Sequence, residues 1–148
     1  MEMNALEIRD LTKEYPHFRL DRLNLTLPGG CIMGLVGENG AGKSTTIKLL
    51  LNMIHRDGGT ITILGRDNRN DLSLLKEEIG VVLDDVGLPE CLKAGQIGKV
   101  MKGIFKSWDD VEYEKYLRRL SIPTDRKFKE FSRGMKMKLG IAVALSHH

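Results

Sequence analysis

The sequence predicts an α/β fold, and three patterns along the first 87 residues indicate it. Residues 6–8 and 23–27 alternate apolar and polar side chains, as strands with one buried face do. Continuous apolar runs at residues 31–36 and 79–83 are typical of buried parallel strands. A glycine-rich stretch follows the first of these runs, and apolar residues at helical spacing come next. Strand, loop and helix in this order indicate a sheet that is covered by helices.

Turn signals and periodicity predict the other elements of this core. Residues 28–30 and 58–59 are typical of turns, and the second turn leads into a strand at 60–64 that stops at Gly65. A short helix is predicted at residues 71–78. The helix after the glycine-rich stretch is expected to bury one face, formed by Ile47, Leu50, Leu51 and Ile54.

After about residue 88 the sequence is typical of helices. Three apolar stripes predict them: Ile97, Val100, Met101 and Ile104; Tyr113, Tyr116, Leu117 and Leu120; and Met135, Leu139, Ala142 and Val143. Glycines weaken the first helix, residues 107–110 predict a capping box for the second, and the third is still running at His148. We therefore predict an α/β core of residues 1–87 and 132–148, and a helical subdomain of residues 88–131.

Composition bounds the class of protein. A chain of 148 residues with 41% hydrophobic and 29% charged residues can form a soluble domain with a core. No apolar run approaches the length of a membrane span, and no leader peptide is recognisable. Cys31 and Cys91 fit no metal or redox spacing, so we expect two buried, reduced thiols.

Positive charge is concentrated near the end of the chain. Between Lys115 and Lys138 lie nine lysines and arginines, against only Asp125 and Glu130. Such a run is typical of a solvated face, and it also suits a contact with phosphates or with an acidic partner. Nucleic acid is an unlikely partner, because no aromatic residues are interleaved to stack on bases.

The glycine-rich stretch is a phosphate-binding loop in its full G-x-x-x-x-G-K-S form. Its glycines let the backbone curl, so that several N–H groups converge on a polyphosphate. Lys43 brings a cation to the β and γ phosphates, and Ser44 offers a hydroxyl to Mg²⁺. The loop therefore predicts that the chain holds a nucleoside triphosphate with Mg²⁺, and it predicts these binding residues: Gly37, Glu38, Asn39, Gly40, Ala41, Gly42, Lys43, Ser44 and Thr45.

A second segment gives the sequence a family resemblance. Residues 131–135, F-S-R-G-M, and the helix that follows them look like the signature motif of the ATP-binding cassette (ABC) ATPases, which power ABC transporters. Together with the phosphate loop, this resemblance covers the whole chain and is strongest to exporters of the antibiotic and multidrug type. It implies a P-loop NTPase core of the ABC type, with N-terminal antiparallel strands and a helical subdomain.

The resemblance implies further site residues. Tyr15 lies where the family has an aromatic residue that stacks on adenine, and Phe18 is a nearby rival. Asp84 occupies the position of a glutamine that touches Mg²⁺ in the family. The resemblance therefore implies that Asp84 binds the metal and that Asp84 and Lys43 are the catalytic residues of this chain. Asp85 is the alternative to Asp84 in this role.

The signature segment would bind the nucleotide held by a second subunit. The resemblance assigns this role to Ser132, Arg133 and Gly134 of this chain. Ser132 and Gly134 match the family pattern, whereas Arg133 replaces a glycine and Met135 replaces a glutamine. We expect Arg133 either to strengthen that contact or to be simply solvated.

In the resembling family, an apolar strand with an acidic metal partner, a catalytic glutamate and a switch histidine follow the signature helix. None of these lies in the 148 residues, so the C-terminal part of the core is expected to be missing. The full-length protein is implied to be an ABC-type ATPase, and this stretch to bind ATP without appreciable hydrolysis.

The implied function is that of an ATP-binding subunit that couples ATP binding and hydrolysis to export. Its implied partners are a transmembrane permease subunit and a second ATPase subunit, identical or different. Its implied location is cytoplasmic, peripheral on the inner face of the cell membrane. Alternatives are a soluble ABC-type ATPase acting on ribosome or DNA, and a nucleotide-binding fragment without turnover. Residues 84–87 also fit the D-x-x-G pattern of GTPases, but the chain has no N-K-x-D motif.

Overall fold

The computed structural model describes residues 4–70 and 72–147. Its contacts divide the chain into two compact units, Met1–Leu75 and Lys76–His148. These units do not coincide with the division into core and helical subdomain, which stays a prediction about domain architecture. None of the described helices has the length and apolar character needed to cross a bilayer.

The first unit is built on an antiparallel sheet. Its strands, in the spatial order β2-β1-β3-β4, are β1 (Asn4–Tyr15), β2 (Phe18–Pro28), β3 (Gly58–Ile63) and β4 (Arg66–Asp67). The strands predicted at residues 6–8, 23–27 and 60–64 are therefore confirmed, except that the last of them ends at Ile63. Leu64 and Gly65, with φ of 49° and 78°, form the two-residue turn between β3 and β4, as the predicted stop at Gly65 requires.

Helix α1 (Lys43–Leu50) packs on this sheet with only part of the predicted face, since Leu50 and Ile54 contact the core but Ile47 does not. Its buried residues are Thr46 and Leu49, whereas Ile47 is exposed. The helix ends at Leu50 because Asn52, with φ of 52°, turns the chain away. The core that results contains Ile8, Leu11, Leu20, Leu49 and Ile61, with Leu50 and Ile54 packed against it.

The two apolar runs predicted as parallel strands are not strands. Residues 31–36 and 79–83 have no assigned secondary structure, and Val36 is 89% exposed. A strand exists through hydrogen bonds to a neighbouring strand, and none of the described strands pairs with either run. The prediction of parallel strands is therefore wrong for the described residues.

The second unit is helical. Its elements after α2 (Leu72–Glu78), which begins in the first unit, are α3 (Ala94–Ile104), α4 (Asp110–Arg119), a 3₁₀ turn (Phe128–Glu130) and α5 (Arg133–Ala144). All the predicted helices are confirmed, apart from residue 71, which lies outside the described residues. Its core is formed by Ala94, Ile97, Met101, Tyr113, Leu117, Ile122, Phe128, Phe131, Leu139 and Ala142.

Several details of the helices differ from the predictions. Val100 and Ile104 belong to the predicted stripe of α3, but both are exposed. Asp109, not Ser107, caps α4, because its carboxylate accepts from two N–H groups of the first turn. Helix α5 ends at Ala144 rather than running on to His148.

Both cysteines are exposed, so the prediction of two buried thiols is wrong. Cys31 opens the apolar run that remains unpaired with any described strand. Cys91 lies in the loop before α3.

Candidate nucleotide-binding site

The phosphate loop of the first unit takes the curled form that its glycines predict. Gly40 and Gly42 have φ of 87° and 101°, a region that side chains with a Cβ disfavour. At Gly42 the space is also closed, because an added Cβ would lie 2.9 Å from Cζ of Phe18. The loop passes this close to β2 and then starts α1 at Lys43.

Several N–H groups at the start of α1 point out of the helix unpaired. Ala41 N–H donates to the Glu38 carbonyl oxygen at 3.1 Å, and Thr46 N–H donates to the Gly42 carbonyl oxygen at 2.8 Å. Within the described part of the chain, no acceptor is found for the N–H groups of residues 42–45. A helix start with unpaired donors, together with the positive end of the helix dipole, favours an anion.

Lys43 and Ser44 add a cation and a hydroxyl to these donors. The Lys43 ammonium donates to the carbonyl oxygens of Gly37 at 2.5 Å and Glu38 at 2.7 Å. These bonds fold the side chain back over its own loop and leave a third proton of the ammonium without a partner in the loop. Ser44 is exposed, and its hydroxyl makes no hydrogen bond to the residues described.

The loop borders a cavity of about 450 Å³ that suits a polyphosphate. Its lining residues are His17, Phe18, Asn39, Gly40, Gly42, Lys43, Ser44 and Thr45. None of these described residues has a carboxylate, so the cavity offers donors and positive charge to phosphate oxygens. Nor do the described residues contain a group of three or more His, Cys, Asp or Glu that could hold a metal. Ser44 offers a hydroxyl oxygen that could hold Mg²⁺ beside the phosphates, because this ion prefers oxygen ligands.

Three aromatic side chains lie near this cavity, and two of them line it. Tyr15 is 44% exposed and is not among the lining residues, whereas Phe18 and His17 are. The ring centroids of Tyr15 and Phe18 are 6.4 Å apart, and the Lys13 ammonium lies 5.5 Å from the Tyr15 ring. Sequence reasoning missed His17, although its place beside Phe18 in the turn between β1 and β2 could have indicated it.

The signature segment lies in the second unit, at the start of α5. Ser132 is the N-cap, and its hydroxyl oxygen accepts from Met135 N–H at 3.3 Å. Its hydroxyl proton is still available to a ligand. Among the residues described, no partner exists for the N–H groups of Arg133 and Gly134, and both residues are exposed.

A second cavity, of about 360 Å³, brings Asp84 and Arg133 to one place within this unit. Asp84, Asp85, Val86, Phe131, Arg133, Lys136 and Met137 line it. The Lys136 ammonium lies 3.7 Å from a Glu90 carboxylate oxygen. Neither Asp84 nor Asp85 makes an ion pair within the described residues, so the cavity holds two carboxylates and two cations without direct pairing between them.

Comparison with known proteins decides the family. A family model described as ABC transporter matches residues 20–148, which include both the phosphate loop and the signature segment. The chain belongs to the ABC transporter family. The predicted resemblance to this family is thereby confirmed.

Three curated relatives of this ABC protein are named as ATP-binding proteins of antibiotic transport or drug resistance. The bacitracin transport ATP-binding protein BcrA of Enterococcus faecalis is 31% identical over 97% of this chain and 47% of its own length. The daunorubicin/doxorubicin resistance ATP-binding protein DrrA of Streptomyces peucetius is 32% identical over 95% of this chain and 44% of its own length. The lantibiotic transport ATP-binding protein SrtF of Streptococcus pyogenes is 34% identical over 95% of this chain and 61% of its own length. The chain thus spans about half the length of the relatives it matches.

Solved structures confirm the fold class of this ABC protein. The ATP-binding subunit of an ABC transporter superposes with a TM-score of 0.81 at 27% identity, over 94% of this chain and 60% of its own. A dimeric ATP-binding cassette bound to ADP and Pi superposes with a TM-score of 0.76 over 95% of this chain and 69% of its own. At 19% identity that second likeness concerns the fold alone.

Proposed function

We propose that this chain is part of an ATP-binding subunit of an ABC exporter. The phosphate loop carries the proposal: unpaired N–H groups, the Lys43 ammonium and the Ser44 hydroxyl converge on one cavity without a carboxylate. That donor set binds the phosphates of ATP and leaves a hydroxyl for Mg²⁺. Relatives that are named as transport ATP-binding proteins support the same function.

Each loop residue has a distinct part in this binding. The N–H groups of residues 42–45 donate to phosphate oxygens, and the Lys43 ammonium exchanges its bonds to loop carbonyls for bonds to the β and γ phosphates. Ser44 donates its oxygen to Mg²⁺, which supplies charge neutralisation of the phosphates when it is bound. We assign Asp84 to the same ion, on the strength of its position in the family pattern. Tyr15 is proposed to stack on the adenine.

The signature segment is proposed to act on a second subunit. Ser132, Arg133 and Gly134 present a hydroxyl, two N–H groups and a guanidinium at the start of α5. These groups suit the γ phosphate of an ATP molecule bound to the other subunit. Two incomplete sites would thereby become two complete ones in a homodimer or heterodimer.

We infer that the complete protein couples ATP hydrolysis to export of an antibiotic or drug-like compound. A transmembrane permease subunit would carry the compound, and the ATP-binding subunit would lie on the cytoplasmic, inner face of the membrane. The names of the bacitracin, daunorubicin and lantibiotic transport proteins support this class of cargo. The 148 residues themselves are proposed to bind ATP with little turnover, because none of the described residues that line the phosphate-loop cavity carries a carboxylate that could orient a water.

Nucleotide competition tests the proposal. The chain is titrated with a fluorescent ATP analogue in the presence of Mg²⁺, and ATP or GTP is added as competitor. We expect both to displace the analogue with similar affinity, and Tyr15→Ala to weaken both by about 5-fold or more, because stacking tolerates any base. Failure of either nucleotide to compete contradicts the proposed site, and a strong preference for GTP indicates a guanine-reading pocket instead.

A further inference from the structure

The turn between β1 and β2 brings to the phosphate loop a side chain that the proposed binding does not use. Tyr15 and Phe18 are the last directly opposite pair of the two strands, and the turn that joins them contains His17. The Phe18 ring lies against Gly42, where an added Cβ would be 2.9 Å from Cζ of the ring. This contact holds the end of the hairpin beside the loop, and His17 lines the same cavity of about 450 Å³ as the loop residues.

The His17 imidazole has no hydrogen-bond or ion-pair partner among the residues that the structure describes, and the residue is exposed. Two nearby carboxylates of the hairpin are engaged with another cation. The Arg19 guanidinium lies 3.1 Å from a Glu14 carboxylate oxygen and 3.2 Å from a carboxylate oxygen of Asp21. The carboxylate of the phosphate loop belongs to Glu38, which does not line the cavity. A ligand in the cavity can therefore use the N–H groups of the imidazole.

The charges around His17 suit a polyphosphate in this cavity. Among the described residues that line it, Lys43 is the only lysine or arginine, and its ammonium is bound to two carbonyl oxygens of the loop. Lys13, on β1, pairs with Asp57 at 3.1 Å. Histidine changes its charge between pH 5 and 8 in its ordinary range, and its cationic form donates from both ring nitrogens. Because a polyphosphate carries more negative charge than one ammonium neutralises, it favours the cationic form of a histidine beside it.

We propose that His17 binds a phosphate group of the nucleotide, as a second cationic donor that is charged only when its imidazole is protonated. This inference rests on the proposed function, because it adds a residue to the same binding site. The imidazole takes up a proton from the solvent, and its N–H then donates a charge-assisted hydrogen bond to a phosphate oxygen. Lysine stays charged between pH 6 and 8, so Lys43 contributes equally throughout this range. His17 makes the affinity for Mg-ATP rise as the pH falls through it.

The phosphates suit His17 better than the adenine base does. Apart from His17 and Phe18, every described residue that lines the cavity belongs to the phosphate loop, residues 37–45. Tyr15, to which we assign the stacking on the base, is not among the lining residues. His17 therefore shares its cavity with the groups that donate to phosphate oxygens, and not with the residue that would stack on the base.

The pH dependence of nucleotide affinity tests this assignment. The Kd of Mg-ATP is measured at pH 6 and pH 8, by displacement of the fluorescent ATP analogue, for the unmutated chain and for His17→Gln. We expect the unmutated chain to bind Mg-ATP about 5-fold more tightly than His17→Gln at pH 6, and the two Kd values to approach each other at pH 8. Because both chains meet the same nucleotide and Mg²⁺, the titration of the ligand itself cancels from the ratio of the two Kd values.

Two further variants and a second ligand separate phosphate binding from a structural role of His17. His17→Arg should bind Mg-ATP tightly at both pH values, because arginine stays charged and donates to phosphate oxygens. His55→Gln changes an exposed histidine of the same unit that does not line the cavity, so it should keep the pH dependence of the unmutated chain. Inorganic tripolyphosphate, which has no base, should show the same dependence on His17 as Mg-ATP. A merely structural role would not be restored by arginine.

The proposal is overturned if the ratio of the two Kd values is the same at pH 6 and pH 8, or if His17→Arg binds as weakly as His17→Gln at pH 6. An effect of His17 on Mg-ATP that is absent with tripolyphosphate assigns the residue to the base or the ribose and also overturns it. In each of these cases the unmutated chain still binds Mg-ATP, so the proposed function stands. If Mg-ATP displaces no analogue at either pH, the proposed function is contradicted, and the assignment of His17 fails with it.

Discussion

Gly42 is the residue at which backbone strain and packing combine in the phosphate loop. Its φ of 101° disfavours any side chain with a Cβ, and the Phe18 ring closes the space where that Cβ would lie. Gly40 shares the positive φ, 87°, but an added Cβ there would meet no atom within 4 Å. The two glycines therefore separate the cost of strain from the cost of a clash.

We expect Gly42→Ala to destabilise the chain by about 2 kcal/mol or more, through left-handed backbone strain and displacement of Phe18. Urea unfolding followed by circular dichroism measures the change in free energy. Gly40→Ala is the control and should cost about 1 kcal/mol, because only the strain applies. If both variants lose the same free energy of unfolding, the Phe18 ring moves aside without cost, and its close approach to residue 42 does not affect stability.

At this scale the sequence predicted the curled conformation of the loop, in which Gly40 and Gly42 have positive φ, but not which residues lie around it. The proposed roles of Lys43 and Ser44 rest on a pattern whose spacing is dictated by the phosphates, and they stay predictions. His17 carries no such spacing and enters the cavity only because the turn between β1 and β2 lies beside the loop. The exposure of Cys31 and Cys91 could not be predicted from the sequence either, since it depends on which strands form.

Among the elements, helix α3 shows how packing reverses a local preference. Glycine disfavours a helix, yet Gly98 lies against α4, where an added Cβ would be 2.6 Å from Cε1 of Tyr113. The Tyr113 ring cannot move away easily, because it is buried and its hydroxyl donates to the Ala94 carbonyl oxygen at 2.8 Å. Burial also raises the pKa of the Tyr113 hydroxyl, which keeps this donor protonated.

Gly98→Ala should therefore destabilise the second unit by about 1–3 kcal/mol, although alanine is the better helix former. Gly103→Ala, in the same helix but with open space around it, should stabilise it by about 0.5–1 kcal/mol. Urea unfolding followed by the fluorescence of Trp108, whose ring lies 4.9 Å from that of Tyr113, measures both. A gain in stability for Gly98→Ala would contradict the close packing of α3 and α4.

In the first unit, hydrogen bonds of the Asp57 carboxylate to strand β1 depend on pH. The Asp57 carboxylate accepts from Glu14 N–H at 2.7 Å and from the Lys13 ammonium at 3.1 Å, and these two bonds, in that order, lower the pKa of Asp57. A carboxyl whose pKa is lower in the folded state stabilises the fold above its unfolded pKa of about 3.9 and loses this effect as the pH falls.

Asp57→Asn should accordingly lower the urea midpoint at neutral pH, and its difference from the unmutated chain should shrink below about pH 4. Asp125→Asn, at an exposed residue that forms no ion pair with the described residues, is the control and should leave the midpoint unchanged. A difference that stays constant across the pH range would mean that the charge of Asp57 does not stabilise the sheet.

Element types were predictable from periodicity, whereas their ends and buried faces were not. The apolar stripe of α5 was found correctly, but its end at Ala144 depends on local hydrogen bonds such as that from the Ser146 hydroxyl to the Ala142 carbonyl oxygen. Likewise the capping box predicted for residues 107–110 would have Ser107 as the cap of α4. Ser107 instead donates its hydroxyl to Glu77 at 3.2 Å, which left Asp109 to cap the helix.

On the scale of the whole molecule, the apolar runs at residues 31–36 and 79–83 show the limit of sequence reasoning. Their composition is that of buried strands, but a strand also needs a partner, and composition carries no information about where that partner is. Within the described residues neither run has one, and side chains such as Val36 remain exposed. The fold class was nevertheless predicted correctly, because the order of the motifs along the chain is what defines the family.

The central claim, that the phosphate loop of this chain holds Mg-ATP, is tested most directly by thermal unfolding with and without the nucleotide. A ligand that binds only the folded state stabilises it by about 2.7 kcal/mol at one hundred times its Kd, so Mg-ATP should raise the Tm of the unmutated chain. Lys48→Ala, in the last turn of α1 and away from the lining of the cavity, should show the same rise. Lys43→Ala should show little or none, because it removes the ammonium from the site. An equal rise of Tm in Lys43→Ala and in the unmutated chain would contradict the account.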